Sequence, residues 1–104
     1  MAQFDVFENP IVAARRAYPF VIALQSDFAP NARDQIVAPV VPRQSLPEIA
    51  GRLTPIIALD GSDLVVLVPS LTGVRSQDLP ARHSSAASRR GELLAAIDYL
   101  FFGA

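Results

Sequence analysis

Along the chain, short apolar runs separated by proline, glycine and polar turns predict mainly β structure. Residues 3–7 alternate between polar and apolar side chains, which is the pattern of a half-buried strand. Residues 18–24 are almost continuously apolar, which indicates a strand covered on both faces, with Pro19 at its beginning or on an edge. Residues 36–42 contain Pro39 and Pro42 and therefore predict an edge or bulged strand.

The clearest local signal is a β-hairpin. Residues 53–59 and 64–68 are rich in apolar residues that favour strands, and the turn between them contains Gly61. Two such runs joined by a glycine-containing turn are typical of adjacent antiparallel strands. Residues 70–82 then predict a loop with room for one short strand around 72–74.

The last segment predicts an α-helix that begins near Ser85 and reaches the end of the chain. Apolar side chains at helical spacing predict one buried face, formed by Leu93, Leu94, Ile97, Leu100 and Phe101. Ser84 or Ser85 can cap this helix, and Gly91 within it costs about 1 kcal/mol relative to alanine. Phe102 falls outside the apolar face. Two interpretations of it stay open: its ring folds back onto the domain, or the last residues form a binding tip.

The composition indicates one globular domain over residues 1–104. Hydrophobic residues make up 51% and charged residues 18%, an apolar balance that dimerisation would relieve. The net charge is −1, and all nine basic residues are arginine. Nucleic-acid-binding domains usually carry a basic surplus, which is missing here, whereas arginine suits carboxylate partners. No signal peptide and no run of about 18 apolar residues is recognisable, so we expect a cytoplasmic protein that does not enter a membrane.

Residues able to support catalysis are sparse. The chain has no cysteine and one histidine, His83, which excludes thiol chemistry and histidine clusters for a metal, and it has no phosphate-binding glycine loop. The serines near His83 are explained as helix caps, and Asp60 and Asp63 as turn residues. We therefore expect a binding protein, not an enzyme, with no cofactor and no metal.

The order of the segments is more informative than any segment alone. The relevant stretches are residues 3–7, 18–20 leading into the Gln-Ser-Asp turn at 25–27, 37–42, 53–55 before Asp60-Gly61, and 95–104. This order, with a helix that ends the protein at glycine plus one residue, resembles the CcdB family of toxins over nearly the whole chain.

The resemblance implies a fold that is mainly β with a C-terminal α-helix: a five-stranded antiparallel sheet plus a small side sheet, of the CcdB/MazF-like, SH3-like barrel type. It implies the toxin of a type II toxin–antitoxin system, which forms a homodimer. Family members act on the A subunit of DNA gyrase, where the paired helix ends trap the complex with cleaved DNA. A cognate CcdA-like antitoxin with a disordered C-terminal tail removes the toxin, and the toxin meets DNA only indirectly, through that antitoxin.

The resemblance also implies gyrase-binding residues, namely Phe102, Gly103, Ala104, Phe28, Ala29 and Asp98. Phe102 stands where the best-known member carries a tryptophan that stacks on an arginine of gyrase. Phe28, which the residues alone explain better as a loop anchor, corresponds to a position beside the tip. A phenylalanine keeps a π-face worth about 0.5 to 2 kcal/mol toward a guanidinium, although it stacks over less area than an indole. Ala104 is smaller than the usual last residue of the family, and Ala23 replaces an aspartate that is common there.

Two alternatives to gyrase poisoning stay open. A MazF-like endoribonuclease shares the sheet and the dimer but needs a basic groove, against which the net charge of −1 argues. A toxin homologue without gyrase activity would act only as an antitoxin-binding or regulatory partner. Arg15 and Arg16 are the candidate antitoxin-binding residues, because antitoxin tails of the family are often acidic and charges at an interface steer association. Solvation in a surface loop is their simpler interpretation.

Overall fold

The computed structural model describes residues 2–26, 33–45 and 51–103. Its strands are joined by antiparallel hydrogen bonding. In this part of the chain there are seven strands and one α-helix. In chain order they are β1 Asp5–Glu8, β2 Phe20–Ala23, β3 Asp34–Pro42, β4 Ile56–Leu59, β5 Ser62–Val66, β6 Thr72–Arg75, β7 Ser84–Ser85 and helix α1 Arg90–Phe102. The predicted fold class, mainly β with a C-terminal helix, is confirmed.

The strands form one sheet that curves into a nearly closed barrel. Its order is β4-β5-β3-β2-β1-β7, and β6 pairs with β3 outside this path. The strand count exceeds the expected five because the short strands β6 and β7 add to it. β6 pairs with β3 within the same sheet, so the described residues form no separate side sheet.

Of the two alternatives predicted for residues 36–42, an edge or a bulged strand, the edge strand is wrong, since β3 pairs with β2 on one side and with β6 and β5 on the other. Its prolines lie where no partner requires their missing N–H. Leu67 N donates to Pro39 O at 2.9 Å, so the backbone polar groups of Pro39 face the side of β5 and β6. On that side the pairing with β6 ends at Val37 and the pairing with β5 begins at Val40. Pro42 faces the opposite side, beyond the last pair of β3 with β2.

The predicted hairpin is confirmed as β4 and β5, with a tighter turn than expected. Leu59 pairs with Ser62, which leaves only Asp60 and Gly61 in the loop. Their φ angles are +52° and +79°, as a two-residue type I′ turn requires. Glycine adopts this conformation without steric cost, which explains its place there.

The main core lies between one face of the sheet and α1. Its buried members are Phe4, Val6, Ile22, Leu24, Ala38, Val40, Ile57, Leu64, Val66, Val68, Ala86, Leu93 and Ala96. On α1, Leu93 and Ala96 are fully buried, and three further residues of the predicted face, Leu94, Ile97 and Leu100, pack against this core while partly exposed. The helix is therefore fixed mainly through its first two turns.

A second, smaller cluster covers the other face of the sheet. Phe7, Val21, Ala23 and Val37 form it, with Val74 and Leu79 packed against them. The prediction that β2 has no wet face is therefore confirmed. Pro19 directly precedes β2, as its missing N–H led us to expect.

Helix α1 begins at Arg90, later than the predicted start near Ser85. Ser84 and Ser85 instead form β7, because β1 offers an unpaired edge at Val6 and Asp5. Ser85 Oγ accepts a hydrogen bond from Ala87 N at 3.2 Å, just before the 3₁₀ turn that leads into the helix. The prediction that Ser84 or Ser85 caps α1 is wrong, because the N-cap of the helix is Arg89 and makes no side-chain cap hydrogen bond. Within the described ranges, no helix is long and apolar enough to cross a membrane.

Two polar contacts join loops to the sheet near β7. His83, a loop residue as predicted, places Nε2 3.1 Å from Asp60 Oδ2 in the β4–β5 turn, and its ring lies 4.8 Å from that of Phe20. Arg82 Nη1 lies 3.6 Å from Oδ1 of the buried Asp5. Both contacts tie the segment before β7 to more distant parts of the sheet.

Opposite effects are expected from alanine at two glycines. Gly61→Ala should lower the free energy of unfolding by about 1 kcal/mol, because a Cβ is strained at φ +79° even in open space. Gly91→Ala, where an added Cβ also meets no atom within 4 Å, should raise it by about 0.5 kcal/mol through helix propensity, less than at an interior position because Gly91 is the second residue of α1. Urea unfolding followed by circular dichroism measures both. Stabilisation by Gly61→Ala would contradict the type I′ turn at Asp60 and Gly61.

Candidate functional site

The end of α1 projects two aromatic rings from the fold. Phe101 is 61% exposed and Phe102 is 80% exposed. The helix stops directly after them because Gly103 adopts a left-handed conformation, φ +72°, and its N–H donates to Tyr99 O at 3.0 Å. The ring of Phe102 does not fold back onto the described part of the domain, so of the two interpretations the structure favours the exposed tip.

Phe101 does not belong to the core, and that prediction is wrong. It lies one helical turn after Ile97, and both line an open groove of about 310 Å³. The lining of this helix groove is Leu24, Gln25, Ile36, Leu71, Ile97 and Phe101. Leu24 directly follows β2, so the groove lies between the last turns of α1 and the end of this strand. The described residues do not cover it.

Asp98 and Gly103 lie near the exposed ring of Phe102. Asp98 is exposed, precedes Phe102 by four residues on the same side of the helix, and makes no hydrogen bond or ion pair with the described residues. Its carboxylate is therefore accessible to a basic side chain of a partner. Of the other residues implied by the resemblance, Phe28, Ala29 and Ala104 lie outside the described residues.

Arg15 and Arg16, the candidate antitoxin residues, differ in their surroundings. Both belong to the excursion, residues 9–19, which connects β1 to β2. Arg15 Nε donates to Asn9 O at 2.6 Å, and its Nη1 lies 3.8 Å from Glu8 Oε2. Arg16 is exposed and has no such contact with the described part of the chain. Arg15 therefore holds the excursion in place, whereas Arg16 is accessible to a partner.

Three apolar residues of the excursion were not predicted as a surface. Ile11 is 60% exposed, Val12 is 70% exposed, and Tyr18 is also exposed. The buried Asn9 side chain keeps them there, since it accepts from Ile11 N and donates to Tyr18 O, both at 2.9 Å. We call Ile11, Val12, Arg16 and Tyr18 the excursion patch. A sequence signal existed, because the aliphatic pair after Asn9-Pro10 fits neither a strand nor a helical face.

The region around the helix end and the excursion offers apolar and aromatic surface with a few charges. Among the described residues, no group of three or more histidine, cysteine or acidic side chains is placed to hold a metal ion. Such surfaces are suited to contact with another macromolecule.

Comparison with known protein families supports the family that the order of segments in the chain resembles. A family model described as CcdB protein matches residues 3–103, which is nearly the whole chain. Among curated proteins, none matches the sequence significantly.

Proposed function

As a member of the CcdB family the chain is a toxin of a toxin–antitoxin system, and we propose that it binds the A subunit of DNA gyrase and traps the enzyme with cleaved DNA. The observation that carries this proposal is the exposed Phe102 at the end of a packed helix. In this role no residue of the chain carries out a chemical step, and the protein acts by occupying a gap in its target.

The surroundings of Phe102 suit a binding tip. A large apolar ring left in water favours a partner that covers it, and aromatic residues are common anchors of interfaces. The buried Leu93 anchors the first turns of α1, and the Gly103 cap ends the helix directly after the two exposed rings. A guanidinium stacked on the ring would gain about 0.5 to 2 kcal/mol, and Asp98 one turn earlier offers a carboxylate to the same basic partner.

Truncation of the tip tests the gyrase target. In a supercoiling assay, the wild-type protein is expected to produce linear plasmid, and Phe102→Ala is expected to abolish it because the stacking ring is lost. Removal of Gly103 and Ala104 should have the same effect. The free energy of unfolding of Phe102→Ala should stay within about 0.5 kcal/mol of wild type, since the ring is mostly solvated.

Val12→Ala is the matched control, an apolar truncation at a similarly exposed position outside the tip. It should produce as much linear DNA as the wild type. A folded wild-type protein that leaves gyrase fully active would contradict the target. Full activity of Phe102→Ala would contradict the role of the tip and leave the target standing.

The proposed homodimer uses the helix groove. The groove is apolar, and the exposed Phe101 and Ile36 continue it at the surface. A twofold interface brings the same patch of both copies together. Because the groove contains Phe101, which directly precedes Phe102, such pairing would place the two helix ends side by side.

A charge in the groove is expected to dissociate the dimer. Ile36→Glu should weaken self-association at least about tenfold, because the carboxylate would be buried without a partner. Ile36 is 37% exposed in the single chain, so the variant should still fold. Sedimentation velocity measures the effect, and Val12→Glu in the excursion patch is the control that should remain dimeric. An unchanged dimer of Ile36→Glu would place the interface elsewhere.

The antitoxin partner is assigned to the excursion patch. Its exposed Ile11 and Val12 offer apolar anchor sites, and the accessible Arg16 offers a charge to an acidic tail. Arg15, the other candidate antitoxin-binding residue, instead contacts Asn9 and Glu8 and so stabilises the excursion.

Loss of the Arg16 charge is expected to weaken antitoxin binding. Arg16→Gln should raise the Kd for the disordered tail of the cognate antitoxin about fivefold, with a smaller difference at high salt, because exposed charges are screened. Arg75→Gln, at another exposed arginine, should leave the Kd unchanged. Isothermal titration calorimetry measures the Kd of both variants. Gyrase poisoning by Arg16→Gln should remain at the wild-type level. Equal affinities of the two variants would contradict the assignment.

A further inference from the structure

The last turn of α1 receives little support from the core. Leu93 and Ala96 are fully buried in the earlier turns, whereas Leu100 is only partly buried and both phenylalanines after it are exposed. In the last turn it is Leu100 that packs against the core, and a helix end with so little core contact frays readily. The direction in which Phe102 points therefore depends on contacts outside the core.

One such contact comes from the segment that precedes β4. The Arg52 Cζ lies 4.7 Å from the centroid of the Tyr99 ring, within the range of a cation–π interaction. A turn in which Thr54 N donates to Gly51 O at 3.3 Å surrounds Arg52. Arg52 is exposed, whereas Tyr99 is half-buried, so the guanidinium covers the ring from the solvent side.

Helical geometry places this contact on the side of the helix that carries Phe102. Successive residues turn by about 100°, so Tyr99 lies about 200° from Ile97 and away from the helix groove. Phe102 lies within about 60° of Tyr99, one turn further along. The Tyr99 carbonyl also accepts the N–H of Gly103, so the residue under the guanidinium carries the cap as well.

We propose that Arg52 is a positioning residue for the tip, which holds Tyr99 through its guanidinium and thereby fixes the direction in which the helix end presents Phe102. This inference rests on the proposed function, in which Phe102 meets gyrase. It assigns Arg52 no contact with gyrase. The groove side of the helix stays free for the second copy.

Amide hydrogen exchange measured by NMR tests the inference without gyrase. Arg52→Gln should accelerate exchange of the Gly103 amide about two- to fivefold, because the exposed cation–π contact that restrains the last turn is lost. The Ile97 amide in the middle of the helix should exchange at the wild-type rate. Arg52→Lys keeps a cation over the ring and should restore most of the protection. Arg43→Gln, at an exposed arginine paired with Asp63, is the control that should change neither amide.

A double-mutant cycle tests whether Arg52 acts through Tyr99. Tyr99→Leu should accelerate Gly103 exchange, and adding Arg52→Gln in that background should change it no further. In the gyrase assay, Arg52→Gln should raise the protein concentration for half-maximal linear DNA about two- to fivefold, and it should leave the maximal amount unchanged.

Unchanged Gly103 exchange in Arg52→Gln would overturn the inference. The inference would also be overturned if Arg52→Gln reduced gyrase activity in the Tyr99→Leu variant as much as in the wild type, since Arg52 would then act without the ring. If the wild-type protein leaves gyrase unaffected, the proposed function fails, and the exchange data still decide whether Arg52 positions the helix end.

Discussion

The burial of α1 against the sheet is the interaction on which the surfaces of this protein depend. Leu93 and Ala96 lie fully within the core, and the small side chain of Ala96 lets the helix approach the strands closely. Because only that inner side packs against the sheet, the outer side and the last turn of the helix stay exposed. The exposure of Phe101 and Phe102 is thus a consequence of how the helix packs against the sheet. The Gly103 cap ends the helix directly after these two residues.

The exposed apolar surface is divided among elements with different neighbours. The exposed Phe102 and the helix groove share the last turns of α1 and lie on different sides of the helix, so the proposed second copy and the proposed target would contact different residues. The excursion patch belongs to the connection from β1 to β2 and is held by the buried Asn9. A toxin that is neutralised by one partner and acts on another needs surfaces of this kind, and Arg52 adds a support that serves the tip alone.

Predictions from the chain succeeded where a few neighbouring residues determine the outcome. The Asp60-Gly61 turn needs two positive φ angles, which its residue types allow, and the apolar residues 20–23 predict burial on both faces. They failed where the outcome depends on distant partners. The prolines of β3 suggested an edge strand, but each meets a gap in the neighbouring pairing, and that gap is defined by β6, β5 and β2.

By itself, the sequence determined most of the strand segments, the presence of the C-terminal helix and the hairpin, since periodicity and turn chemistry are local properties, and the order of its segments indicated the family. It left two positions open for the Phe102 ring, and the structure shows that the ring is exposed. Only the tertiary structure decided that α1 starts after Ser84 and Ser85 pair with β1, that Phe101 lines a groove, and that Arg15 is engaged while Arg16 is accessible. Each of these depends on which residues, distant along the chain, become neighbours in space. The pairing of Arg52 with Tyr99 is of the same kind, because 46 intervening residues separate them in the sequence.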